Sequence, residues 1–215
     1  ILNPVLILYR ATKDGEFLRF AEEIADDWSR NDGLCPNLIA NALSGKPVHE
    51  WYPEPKEWAK AYEMMSCFDG ILELYRITGT PALLESAKRF HALLKNSELN
   101  KLFSVGFNDI FANGAGQLNA ITEPCDVVHW MRLCHELFLI TDDKTYLDDF
   151  EQAFCNPFLA SVYRDGKWGA RGVRSHGRHL TVFEQAGMKH NHCCVNNLPR
   201  GFMNMAQTAV TRSAS

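Results

Sequence analysis

Helical hydrophobic periodicity, a hairpin signature that occurs three times and long Gly-, Pro- and aromatic-rich connections predict an all-α fold, an α/α toroid of nested helical hairpins with long mouth-forming loops. The first hairpin is marked by Leu8-Tyr9-Arg10-Ala11-Thr12 followed by Phe17-Leu18. The second is marked by Leu74-Tyr75-Arg76-Ile77-Thr78 and Leu83-Leu84, the third by Leu137-Phe138-Leu139-Ile140-Thr141 and Tyr146-Leu147. In each, the second apolar pair begins five residues after the threonine, so one amphipathic helix ends, a tight polar turn follows and an antiparallel partner starts. The turns are Lys13-Asp14-Gly15, Gly79-Thr80-Pro81 and Asp142-Asp143-Lys144. Helical spacing is clear in Phe17, Phe20, Ala21, Ile24 and Trp28, and again in Val127, Val128, Met131, Leu133, Cys134, Leu137 and Phe138. The threonines lie 66 and then 63 residues apart, a longer period than that of short helical solenoids. A tetratricopeptide-like array is the competing architecture, but its turns are short and uniform, whereas residues 31–58, 103–122 and 163–187 are long and irregular. One short β-hairpin is expected around Asp165-Gly166. Long loops carried on rigid helices can converge on one mouth, so function is expected there.

With 215 residues, 46% of them hydrophobic, the chain can bury a core. A net charge of −4 without a basic block argues against nucleic acid, and no apolar run of about 18 residues offers a membrane span. A small molecule or saccharide is the expected partner. No leader or lipidation motif is visible, but the chain opens at Ile1 without a methionine, so the compartment of a soluble protein stays open between cytoplasm and periplasm, as does the oligomeric state. Seven cysteines in a chain this large favour free thiols and metal ligands over a disulfide framework.

The strongest chemical signal is Cys193-Cys194, within Lys189-His190-Asn191-His192-Cys193-Cys194-Val195-Asn196-Asn197-Leu198-Pro199-Arg200, together with Thr122-Glu123-Pro124-Cys125-Asp126 upstream. Three thiolates and a carboxylate suit tetrahedral zinc. Glu123 and Cys125 are too close in sequence to share a helix face, so Pro124 is expected to set the pair at the entrance to a helix. Two packed thiols, a vicinal disulfide or a purely structural zinc are the alternative readings of the cysteine pair. The polar neighbours His190, His192, Asn196, Asn197 and Arg200 weigh toward a functional site.

Glu-x-Cys followed downstream by Cys-Cys-x-x-Asn-Leu-x-Arg resembles the β-L-arabinofuranosidase family, glycoside hydrolase family 127, also called the DUF1680 group. The run Glu63-Met64-Met65-Ser66-Cys67-Phe68-Asp69, leading into Leu72-Glu73-Leu74-Tyr75-Arg76-Ile77-Thr78-Gly79, resembles a helix that lines the barrel mouth in that family. The resemblance implies an (α/α)6 barrel, zinc held by Glu123, Cys125, Cys193 and Cys194, and Cys193 as nucleophile. Asn197 and Arg200 match the family's Asn and Arg after the cysteine pair. The family has prolines where Val195 and Asn196 stand, and a Glu acid/base in a Gly-Glu-x-Phe motif. Here Asn108-Asp109-Ile110-Phe111 is the counterpart, with Asp109 fourteen residues before Glu123, so Asp109 is the expected acid/base. The family's barrel is longer than this chain, and a single domain spanning 1–215 is expected to form part of one.

A sugar-binding mouth needs aromatic faces and hydrogen-bonding groups. His190 and His192, beside the nucleophile turn, are expected to contact an oligosaccharide or glycoside substrate, with Asn197, Trp51 and Glu63. Tyr52, Trp58, Phe107, Phe111, Trp168, His176 and His179 are further candidates, though packing is the ordinary reading of any single aromatic, and His129 and His135 read as core or surface residues. Arg171, Arg174 and Arg178, in a Gly-rich stretch, read equally as a face for an acidic sugar and as a solvated loop. The leading function is a retaining glycosidase with a zinc-bound cysteine nucleophile; a non-catalytic carbohydrate-binding or structural toroid with a structural zinc is the alternative, and a scaffold for protein ligands a third.

Overall fold

Each of the three hairpins forms, and each turns in the same way. In the computed structural model, which describes residues 1–31, 36–52, 60–107, 109–117, 121–162, 166, 173–174 and 193–210, they are α1 (Leu2–Thr12) with α2 (Gly15–Ser29), α4 (Ala61–Thr78) with α5 (Pro81–Ser97), and α6 (Pro124–Thr141) with α7 (Lys144–Ala153). Two more helices, α3 (Leu38–Ser44) and α8 (Cys193–Thr208), complete the set among the described residues.

The recurring threonine is the last residue of its helix. Its hydroxyl donates back to the carbonyl of Leu8, Leu74 or Leu137, at 2.8, 3.0 and 2.8 Å. The same oxygen accepts from the N–H two residues on, that of Asp14, Thr80 or Asp143, at 3.2–3.3 Å. Between them Lys13, Gly79 or Asp142 adopts the left-handed conformation, with φ of 60, 71 and 57°, and its N–H closes onto the carbonyl of Tyr9, Tyr75 or Phe138. This is the left-handed helix ending that satisfies orphan carbonyls. The next residue is extended and caps the second helix: Asp14 and Asp143 accept from the N–H of Glu16 and Thr145, while Pro81 fills the first position of α5.

The first helix of every hairpin faces inward. The inner helices α1, α4, α6 and α8 pack side by side in that order, and α2, α5 and α7 back them, with α3 against α2 and α5. An all-α, incomplete α/α toroid results. Of the inner helices, α6 is buried on nearly every side, and α1 and α4 meet closely at Gly70, where a Cβ would stand 2.8 Å from that of Leu2. The core beneath is aromatic, with Phe68 and Phe90 stacked at 3.8 Å between ring centres.

Two expectations about the connections meet different outcomes. Residues 31–58 are not irregular throughout: α3 forms there, because Leu38, Ile39 and Ala42 supply a short apolar stripe, and Val48–Glu50 make a 3-10 turn. The hairpin expected around Asp165-Gly166 lies largely outside the described residues. The strand pair among the described residues joins β1 (Ile121–Thr122) to β2 (Val173–Arg174), antiparallel with Ile121 opposite Arg174, and β1 leads through Glu123 into α6. Among the described residues no helix is long and apolar enough to cross a membrane.

Candidate metal centre

Both sequence motifs end at helix N-termini. Glu123 precedes α6 in an extended conformation, Pro124 takes the first helical position, and Cys125 follows in the first turn. Cys193 and Cys194 open α8, which lies beside α6 in the inner ring. The positive ends of two helices therefore point at the same spot, favouring carboxylate and thiolate there.

The four donors meet. Cys125 Sγ is 3.8 Å from Cys193 Sγ and 3.7 Å from Cys194 Sγ, and the two vicinal sulfurs are 3.8 Å apart. Glu123 Oε2 stands 3.5 Å from Cys125 Sγ and 3.4 Å from Cys194 Sγ. A tetrahedral ion with bonds of about 2.3 Å to sulfur and about 2.0 Å to oxygen would hold its sulfurs about 3.8 Å apart and sulfur from oxygen about 3.5 Å. The donor spacing fits such an ion, so this group could hold a metal. Cys125 and Cys194 are fully buried and Glu123 is 5% exposed, while Cys193 keeps partial exposure. Without a cation, the arrangement keeps its protons: hydrogen bonding to Cys193 and Cys194, then burial, push the Cys125 thiol far above its ordinary range. At Cys194 the hydrogen bond with Cys125 pulls down, but the one with Cys193 and burial outweigh it.

The loop before α6 brings Asp109 alongside. A carboxylate oxygen of Asp109, Cys125 Sγ and a carboxylate oxygen of Asp126 lie within 4.8 Å of one another. Asp109 adopts φ 68°, its N–H donates to Asp126 Oδ2 at 3.2 Å, and its carbonyl accepts from Ala61 at the start of α4. Its side chain is paired with Lys60, Nζ to Oδ2 3.0 Å, while Oδ1 is buried with no hydrogen-bond partner. Burial raises the Asp109 carboxyl and Lys60 works against it.

The remaining expected residues divide. Glu63 is exposed in the first turn of α4, accepts from Tyr62 Oη at 3.1 Å, and lines a cleft of about 440 Å³ with Lys60, Tyr52 and Cys67. Trp51 is packed inward: it is 5% exposed, its ring packs on Phe68 and Phe90, and its Nε1 donates to the carbonyl of Lys46. Packing, the ordinary reading of an aromatic, holds there and at the buried Phe111. Asn197 is turned inward: its Nδ2 donates to the Cys193 carbonyl and its Oδ1 accepts from Arg200, both at 3.0 Å, bracing the first turn of α8. His190, His192, Trp58, Trp168, His176, His179, Arg171 and Arg178, and the side chain of Arg174, lie outside the described residues.

Three residues near the cluster carry no expectation of a role. Lys60 is one; Tyr62, whose ring lies 5.5 Å from that of His129, and His129 itself are the others. His129 Nδ1 donates to the Cys125 carbonyl at 3.0 Å, which directs Nε2 away as an acceptor; burial lowers the imidazole pKa to about 4, so the ring is neutral. His129 lines a polar space of about 660 Å³ inside the ring of inner helices, with Asp69, Arg132, Glu136, Arg200 and Asn204. The available signal was helical: His129 stands one turn after Cys125 on α6.

An incomplete α/α toroid with a Glu/Cys3 cluster at the N-termini of two inner helices defines a class of helical-barrel proteins with a metal-type centre. The model of the family described as β-L-arabinofuranosidase, GH127 catalytic domain, matches residues 3–207, and the chain belongs to that family. No curated protein matches the sequence. Among solved structures, the chain is similar to a GH127 β-arabinofuranosidase, with a TM-score of 0.68 and 17% identity over 96% of this chain and 32% of that one. It is also similar to a GH127 β-L-arabinofuranosidase from Geobacillus stearothermophilus T6, with a TM-score of 0.62 and 16% identity over 95% and 36% of the two chains. A structure described as a glycoside hydrolase gives a TM-score of 0.64 and 16% identity over 97% and 38%. At these identities the likeness is one of fold, and the chain spans about a third of the length of each.

Proposed function

We propose that residues 1–215 act as one domain of a retaining glycoside hydrolase for β-L-arabinofuranosides or related glycans, with zinc at Glu123, Cys125, Cys193 and Cys194 and Cys193 as nucleophile. The observation that carries this reading is the tetrahedral spacing of four donors of which three are buried and Cys193 is partly exposed. Bound there, zinc would keep the cysteine sulfurs ionised at neutral pH. Cys193 Sγ then bonds to the anomeric carbon as the bond to the leaving oxygen breaks, and Asp109 gives that oxygen a proton. A water next displaces the sulfur, losing its proton to the same carboxylate, and two inversions leave the configuration retained. His190 and His192 hold sugar hydroxyls in this reading, as does Glu63 at the neighbouring cleft.

The test is turnover of an aryl β-L-arabinofuranoside by zinc-loaded protein. Cys193→Ala should lose at least ~10³-fold in kcat. Asp109→Ala should fall strongly for a poor leaving group and much less for a nitrophenolate, which needs no proton. Wild-type protein inert toward a panel of aryl furanosides and pyranosides contradicts the reading.

The Lys60–Asp109 ion pair favours a second reading, a carbohydrate-binding toroid with a structural zinc, because an ammonium 3.0 Å away stabilises the carboxylate against acting as an acid. Saturable binding of arabinofuranosides without hydrolysis, in protein with stoichiometric zinc, would select it.

A further inference from the structure

Away from the sulfur cluster, where α5, α6 and α7 meet, three more donors face one another in the interior. His91 Nε2, Cys134 Sγ and a carboxylate oxygen of Asp149 lie within 4.8 Å of one another, and the three residues are 5%, 0% and 8% exposed. His91 Nε2 stands 3.2 Å from Asp149 Oδ2. The two are not aligned for a hydrogen bond, and both atoms are buried with no other hydrogen-bond partner. Such orphans are rare inside proteins, and two side by side call for an explanation.

The imidazole is held where it is. Trp130 stacks on it at 4.7 Å and 14°, and Tyr146 meets it edge-on at 4.7 Å and 83°. The carboxylate is held as well, because Lys95 Nζ binds its other oxygen at 2.8 Å and leaves Oδ2 toward His91. An ion between Nε2 and Oδ2 would satisfy both atoms at once, since tetrahedral bonds of about 2.0–2.1 Å to nitrogen and oxygen hold the two about 3.3 Å apart, close to the 3.2 Å seen. Nitrogen, sulfur and oxygen from three helices, converging without a mutual hydrogen bond, form the mixed donor set of a zinc-type ion.

We propose that His91, Cys134 and Asp149 form a second divalent-metal site, of zinc class, that ties α5 and α7 to α6. The site is independent of the Glu/Cys3 centre and of any glycosidase activity. Its role is structural: the ion would join an outer pair of helices to the inner helix that carries Cys125.

Metal analysis of zinc-loaded, desalted protein tests this. Wild type should carry two zinc ions per chain, Cys134→Ala and Cys125→Ala one each, and the double variant none. If Cys134→Ala does not fold, Asp149→Asn, which keeps the side-chain shape, should also read one. The Cys134→Ala protein should lose the part of the zinc-induced rise in Tm that survives in Cys125→Ala. A single zinc in wild type that disappears in Cys125→Ala but stays in Cys134→Ala overturns the second site and leaves the first standing. Two zinc ions retained in both Cys134→Ala and Asp149→Asn also overturn it.

Discussion

Glu98 shows how much of the site depends on one buried carboxylate. It ends α5 with no solvent exposure and accepts the N–H groups of Ala112, Asn113 and Gly114 at 3.0–3.1 Å, with His49 Nδ1 at 3.1 Å. Those bonds pin the loop that carries Asp109, and Gly114 is required there because a Cβ would stand 2.9 Å from the Glu98 carbonyl oxygen. Glu98→Gln should cost about 2 kcal/mol in denaturant unfolding, since hydrogen bonds to a charged acceptor weaken and one amide group faces a donor; a change within ~0.5 kcal/mol would contradict the role. Asp69, buried in the inner ring and bonded through one oxygen to Arg132, makes a prediction with a direction in pH. Burial raises its carboxyl from 3.8 to about 7, so the folded chain holds that proton more tightly than the unfolded one. Its contribution to stability is greatest at low pH and declines as pH rises from about 4 to about 7. The difference in Tm between Asp69→Asn and wild type should therefore grow in favour of the variant across that window; parallel profiles would contradict it. At this scale the sequence was legible where chemistry is scarce, as with Glu123 and the cysteines, and illegible where ordinary residues act through position. Lys60 and His129 look like any surface lysine and core histidine until the Asp109 loop meets the start of α4 and the first turns of α6 set the imidazole under Cys125.

The hairpin turns were the most legible elements, and the structure supplies the reason. A threonine that bonds back into its own helix and also accepts the N–H of the next helix's cap is a local device, written within three residues. Thr141→Val keeps the shape and removes both bonds, so it should cost about 1 kcal/mol, read as a shift in denaturant midpoint at unchanged slope. The start of α6 was readable for the same reason, through Pro124. By contrast the apolar stripe of α3 spans only seven residues, too short for a period to stand out, and the β1–β2 pairing joins residues 121–122 to 173–174, which no local pattern encodes. Packing of α8 is likewise not local. Gly201 lies under Phe158, where a Cβ would come within 2.2 Å of the ring. Gly201→Ala should cost about 1–3 kcal/mol and, by shifting α8, weaken zinc binding at Cys193 and Cys194. Gly15→Ala, with open space around its Cβ, is the control and should leave zinc affinity unchanged.

Over the whole molecule the inner ring does two things at once. Its walls are tied by polar pairs, through Arg10–Glu73 at 2.6 Å, Arg76–Glu136 at 2.5 Å and Arg132–Asp69 at 3.0 Å, which join α1, α4 and α6. One end gathers the helix N-termini at which the four donors meet. That two motifs nearly seventy residues apart share one point was inferable from donor chemistry and family resemblance, whereas their 3.7–3.8 Å sulfur spacing needed the fold. The account stands or falls on that cluster being one metal centre. Zinc-edge X-ray absorption on Cys134→Ala protein loaded with one equivalent of zinc addresses it directly. Three sulfurs at about 2.3 Å and one oxygen at about 2.0 Å are expected; a shell of nitrogen and oxygen alone, or zinc that washes away on desalting, would contradict it.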